Sequence, residues 1–184
     1  MSDRKEAKSE KSPVPTQASR SKNVKPSRMY QWPPLAGLNE KSRRQPQEQQ
    51  WYNVTGQVVD VRVQDDGDIH FELQDVTGTK GGHILAEVPL GNHWCALRKV
   101  VFSWTTKGTR FQRFQASQLS LRMHPIVTVV GKAFFDTHHA RKNPLQNISN
   151  NNKSGILAAW EIHPVSAITA DRSVFPREVL GNNR

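Results

Sequence analysis

The chain has 184 residues, a formal net charge of +10 and a hydrophobic share of 35%, enough for one domain with appendages but below the usual share for a wholly globular protein. Its one cysteine, Cys95, excludes an internal disulfide and a cysteine-based zinc site and fits a reducing compartment. No apolar run approaches the ~20 residues of a membrane span, and MSDRKEAKSEKS has no hydrophobic segment and carries acids, so neither a secretory signal nor a transit peptide is supported. A soluble cytoplasmic protein is the default expectation.

Charge is uneven along the chain. Residues 1–50 hold eleven Lys+Arg against five Asp+Glu, so this segment carries 11 − 5 = +6 and the rest +4. They also hold six of the eleven prolines and show neither helical nor strand periodicity. They are expected to form a disordered basic tail, a composition that favours polyanionic partners. Inside it MYQWPPLAGL, Met29 to Leu38, is an apolar island that the Pro-Pro pair holds extended. It is expected to dock on the domain's own surface, with capture of a protein partner as the alternative.

From Trp51 the pattern changes. WYNVTGQVVDVRVQ alternates as a strand with one buried face, QDDGD is a turn, and DIHFELQD sets Ile69, Phe71 and Leu73 on one face against Asp68, His70 and Glu72 on the other. DVTGTKGG is a second turn and HILAEVPL a third strand. Trp94, Leu97, Val101 and Trp104 then recur at helical steps, placing a short helix in which Cys95 is expected to be buried and inert. HPIVTVVGKAFFD is a fourth strand, the Asn-rich stretch 141–154 a loop, and ILAAWEIHPVSAI a fifth strand, with Pro164 expected to end its ladder pairing. Five strands with a helix between the third and fourth predict a mostly β chain: an OB-like Greek-key barrel over 51–168, with a disordered tail before it and a short tail, 169–184, after it. Gly56 and Gly131 fall inside strands, where a small barrel must bend.

Motifs carry two resemblances. The Gly-Asp step in DDGDIHFELQD is similar to the first turn of the staphylococcal-nuclease-like OB barrels, but HILAEVPL lacks that family's Asp-x-Pro-Glu continuation, so the likeness implies barrel geometry and not that nuclease site. GDIHFEL, ILAEVP, GKAFFDTHH and WEIHPVSAI together resemble a group of small bacterial proteins that share these four motifs in this order. That resemblance implies a common fold and a common site, without a reaction.

Asp136, His138, His139, Glu161 and His163 gather near the ends of the last two strands, and His70 and Glu72 share a face of the second. Two or three histidines with a carboxylate suit a divalent metal with an open position for water, so His70, Asp136, His138, Glu161 and His163 form the candidate metal set. Hydrogen-bonded carboxylate–imidazole pairs across strands are the simpler reading of the same pattern. KGTRFQRF interleaves Lys107, Arg110 and Arg113 with Phe111 and Phe114, and Arg62 and Lys132 could extend that patch. With exposed aromatics these cations suit single-stranded or flexible nucleic acid. A nucleic-acid-binding module, more binder than enzyme, is thus the first expectation. A metal-dependent hydrolase directed at phosphodiesters is the second, and a protein-interaction adaptor working through Met29–Leu38 the third.

Overall fold

The computed structural model describes residues 8, 10–11, 21–39, 41–77, 82–108, 116–137, 140 and 157–170. Its elements are β1 (Ser21–Val24), α1 (Pro26–Tyr30), α2 (Pro46–Gln49), β2 (Trp51–Val63), β3 (Ile69–Gln74), β4 (His83–Val88), a 3-10 turn (Asn92–Trp94), α3 (Cys95–Ser103), β5 (Ser117–Gln118), β6 (Ile126–Phe135) and β7 (Leu157–Ala170). None of these helices is long and apolar enough to cross a membrane.

The barrel closes through five strands. β2 pairs antiparallel with β3 and β3 with β4, β4 pairs parallel with β7, and β7 returns antiparallel through β6 to β2. This is the strand order expected of an OB-type barrel, with α3 between its third and fourth strands. Alternation dictates the inside: Val61, Ile69, Phe71, Leu73, Ile84, Ala86, Val88, Val127, Val129 and Ile162 are all fully buried. α3 presses Val101 and Phe102 onto this core beside Trp94 and Trp104, and Trp104 meets Phe71 edge to face at 5.6 Å.

Several expectations change. Cys95 is exposed, because the helix buries its Trp94, Arg98, Val101 and Phe102 side instead. Pro164 does not end its ladder. β7 runs on to Ala170, and the proline sits at the shift in register where Gly131 pairs with Val165 and Ala133 with Ile162. Ser117–Gln118, which carries no strand signal, pairs briefly with Arg62 and Val63 of β2.

The described part of the N-terminal segment also departs from the disordered reading. β1 adds a parallel strand to β2, pairing Ser21 with Trp51 and Val24 with Val54. Met29 is fully buried, Trp32 packs against Tyr52 and Trp160 at 5.1 and 5.3 Å, and the Trp160 indole donates to the Pro33 carbonyl at 2.9 Å. The apolar island docks on its own barrel. Burying the Met29 side chain contributes about 1.5–3 kcal/mol to that docking. α2 adds a capping box in which the Gln45 backbone N–H donates to Glu48, and Glu48 in turn accepts from the Phe135 backbone.

Gly56 and Gly131 stand where the backbone approaches most closely. A Cβ on Gly56 would meet the Gln74 carbonyl at 2.7 Å, and one on Gly131 would meet Ile162 Cγ2 at 2.5 Å and the Pro164 carbonyl at 2.7 Å. Gly131→Ala should therefore destabilise the barrel by about 1–3 kcal/mol, read as a lower urea midpoint. An unchanged midpoint would mean that β6 and β7 are not pressed together there.

Candidate functional site

Because Ile69, Phe71, Ile84, Ala86, Val88 and Ile162 point inward, His70, Glu87, Glu161 and His163 point outward from three adjacent strands, β3, β4 and β7. Register brings them together: His70 pairs with Glu87, and Leu85 with Glu161. All four are nonetheless buried, at 5%, 2%, 1% and 1% exposure, so each charge must find its match within the protein.

Glu87 is the hub. Its carboxylate lies 2.8 Å from His70 Nε2 and 2.5 Å from His163 Nδ1. His163 Nδ1 is also 3.1 Å from Glu161 Oε1. The other imidazole nitrogen, His163 Nε2, is buried and has no hydrogen-bond partner among the described residues, and Asp68 Oδ2 lies 3.9 Å from it. Asp68, Glu87 and His163 each offer one ligand atom, and the three atoms lie within 4.8 Å of one another.

Asp68 is placed by the turn after β2. Gly67 adopts a φ of 88°, the Asp68 N–H donates to Asp66 Oδ1, and Asp68 Oδ1 accepts from the Leu90 backbone at 2.7 Å. Buried Arg98 of α3 ties the same corner, donating to the carbonyls of Gly67, Val88 and Pro89. Helix, turn and the end of β4 are thereby locked around one carboxylate.

The electrostatics follow from burial and mutual charge. Burial works against protonation of His163, but the Glu87 and Glu161 carboxylates outweigh it and push the imidazole up to about 10. Burial would raise Glu87, yet the His163 and His70 imidazoles hold it well below the usual carboxylate range. Glu161 goes the other way, pushed well above that range by burial and by Glu87. The two neighbouring carboxylates are thus driven in opposite directions, Glu87 down and Glu161 up. Burial also raises Asp68.

The candidate metal residues are distributed as follows. His70, Glu161 and His163 join the cluster; Asp136, just past β6, is 1% exposed and accepts from Lys8 Nζ at 2.9 Å. His138 and its neighbour His139 lie outside the described residues. Glu87 and Asp68 were absent from that set. Glu87 was readable from the alternation in HILAEVPL combined with a third strand lying beside the fifth.

The candidate phosphate-binding cations do not form one patch among the described residues. Arg62 and Lys132 sit toward opposite ends of β2, where Arg62 pairs with Gln118 and Lys132 pairs with Trp51. Arg62 donates at 2.7 Å to both Asp60 and Glu72, Asp60 also accepts from Gln118, and Lys132 donates to Glu10 at 2.6 Å. Lys107 is exposed, and Arg110 and Arg113 with Phe111 and Phe114 lie outside the described residues. A cleft of about 560 Å³ beside β1 is lined by Asn23, Lys25, Asn53, Thr55, Asp75 and Thr128, among others. Its Asn53 bonds Ser21 and Asn23, and its Asp75 bonds Ser27, so its polar groups serve the docking of β1 and α1.

No family model and no curated protein matches the chain. Among solved structures it is similar to the asparaginyl-tRNA synthetase of Entamoeba histolytica in complex with asparaginyl-adenylate, with a TM-score of 0.41 and 15% identity over 82% of this chain and 23% of that one. The chain thus spans less than a quarter of that protein's length, and a likeness at this level decides nothing about activity.

The raised His163 pKa carries a sign that can be checked. Its stabilisation is fully present below the unfolded imidazole value of about 6.5 and is lost as pH rises through about 10. With chelator present, the urea midpoint of the unaltered chain should fall between those limits, and His163→Gln should flatten that fall. An equal fall in both proteins would contradict a buried imidazolium.

Proposed function

We propose that the outer face of β3, β4 and β7 is a divalent-cation site and that the chain is a metal-dependent hydrolase acting on phosphodiesters. The observation that carries the cation site is His163. One ring nitrogen is held by Glu87 and Glu161, and the other is buried without a hydrogen-bond partner among the described residues, on the side of the Asp68 carboxylate. Carboxylate-held imidazoles of this kind are how proteins orient a metal-binding histidine. Asp68 and His163 Nε2, once an ion displaces the Nε2 proton, would supply one oxygen and one nitrogen ligand, a pair that suits zinc or manganese, while Glu87 holds the far ring nitrogen. Two protein ligands would leave coordination positions for water, which the ion would acidify into a nucleophile. The net charge of +10 favours a polyanionic substrate, and this supports a phosphodiester.

Nucleic-acid binding without chemistry is the competing reading, supported by the OB-type barrel and the same charge. It is weaker because two of the three described cations it enlists, Arg62 and Lys132, are already bonded to carboxylates, which leaves exposed Lys107. The outer face of β3 and β4 carries the carboxylates Glu72 and Glu87, with Asp68 in the turn before β3. The adaptor reading loses its anchors, since Met29 and Trp32 are spent on the barrel.

Purified chain stripped with chelator and titrated with manganese(II) or zinc(II) should take up one ion. Asp68→Ala, Glu87→Gln and His163→Ala should each weaken uptake at least ~10-fold, and Arg62→Gln should leave it unchanged. Cleavage of bis(p-nitrophenyl) phosphate should appear with the ion and vanish in His163→Ala. Failure of the unaltered chain to bind either ion would refute the site; salt-sensitive binding of single-stranded oligonucleotide, indifferent to chelator, would favour the competing reading.

A further inference from the structure

A cationic side chain from the start of the chain already lies on this cluster. Lys8 Nζ is 2.9 Å from Asp136 Oδ2 and 5.2 Å from the centroid of the Phe134 ring, which packs 5.9 Å from the His163 imidazole. Burial opposes its charge, but Glu161, Asp136 and Glu87 together more than restore it. The ammonium therefore sits in the field of the same carboxylates that surround His163.

Two residues further on, Glu10 makes a second anchor. It accepts from Arg44 Nη1 at 2.7 Å and from Lys132 Nζ at 2.6 Å, and Arg44 is itself fixed to the Ala133 carbonyl at 3.0 Å. Lys132 and Ala133 are on β6, the strand that ends at Phe135 and leads directly into Asp136. The Lys8 and Glu10 side chains are thus both fastened near the end of β6, Lys8 to Asp136 and Glu10 to Arg44 and Lys132.

Resting on the cation-site reading, we infer that Lys8 and Glu10 form an intramolecular strap that competes with the divalent ion for the cluster. The physical reason is direct. The ammonium bonds Asp136 and lies in the field of Glu87, the carboxylate that also holds His163, and two cations in one buried setting repel each other far more than they would in water. Binding of the ion loosens Lys8 from Asp136, and release of Lys8 raises affinity for the ion, because linkage between two binding events is reciprocal. Glu10 sets how readily the strap leaves, since its two ion pairs must open or slacken as Lys8 departs.

The test uses the full chain and manganese(II) chloride in titration calorimetry, comparing the unaltered protein with Lys8→Gln, Glu10→Gln and the charge-keeping Lys8→Arg. Lys8→Gln should bind the ion more tightly, by about 5- to 150-fold. Glu10→Gln should shift in the same direction, and Lys8→Arg should stay near the unaltered value. Conversely, saturation with manganese should speed acetylation of Lys8 by N-acetoxysuccinimide, read by mass spectrometry of its peptide. If the unaltered chain binds manganese but Lys8→Gln binds no tighter and Lys8 labelling does not change, the strap is overturned while the cation site stands. If no variant binds the ion, the cation site fails and the strap falls with it.

Discussion

The parallel pairing of β4 with β7 is the constraint on which the rest depends. It closes the barrel, and it sets Glu87 on one strand beside Glu161 and His163 on the next. The same contact that joins two distant stretches of chain thus assembles the polar cluster. Burying a carboxylate without partners costs several kcal/mol, so Glu87 tolerates 2% exposure only because an imidazole stands on each side of it. Stability and chemistry share these atoms.

Around that pairing, the rest of the molecule serves to hold three outward-facing strands rigid. Arg98 locks the turn that presents Asp68, reaching the carbonyls of Gly67, Val88 and Pro89 from α3. The Met29–Leu38 island carries Met29 into the core and sets Trp32 against Trp160 of β7. Gly131 lets β6 press against β7 where the register shifts, two residues from His163. A site built on strands and pinned from several sides keeps its geometry better than one carried on loops.

Much of this was legible in the sequence for a simple reason: period-two alternation reports which way a side chain points. Ile69, Phe71 and Leu73 against His70 and Glu72 gave the face of β3, and the five-strand order gave the partner of each strand. What alternation lacks is register. Glu87 lies in a strand whose alternation is clear, yet only the pairing of His70 with Glu87 and of Leu85 with Glu161 shows that it is the hub. Arg62 read as a free cation, although Asp60 two residues before it on the same strand bonds it as well as Glu72 of the neighbouring strand. Cys95 misled because a helix of nine residues can bury either of two adjacent faces, and Arg98 took the inner one. Missing periodicity hid β1, whereas the large residues Met29 and Trp32 made the island at 29–38 readable as a segment that docks on its own barrel.

The arrangement left by these contacts is a buried histidine nitrogen that has no hydrogen-bond partner among the described residues and lies 3.9 Å from an aspartate oxygen. Either a cation belongs between them or the imidazole is simply buried with one side bare. The most direct measurement is an anomalous difference map from crystals soaked in zinc(II). A peak about 2.0–2.2 Å from both His163 Nε2 and the Asp68 carboxylate is expected. An unchanged, empty space between those two side chains, with zinc bound elsewhere on the surface, would contradict the site at its centre.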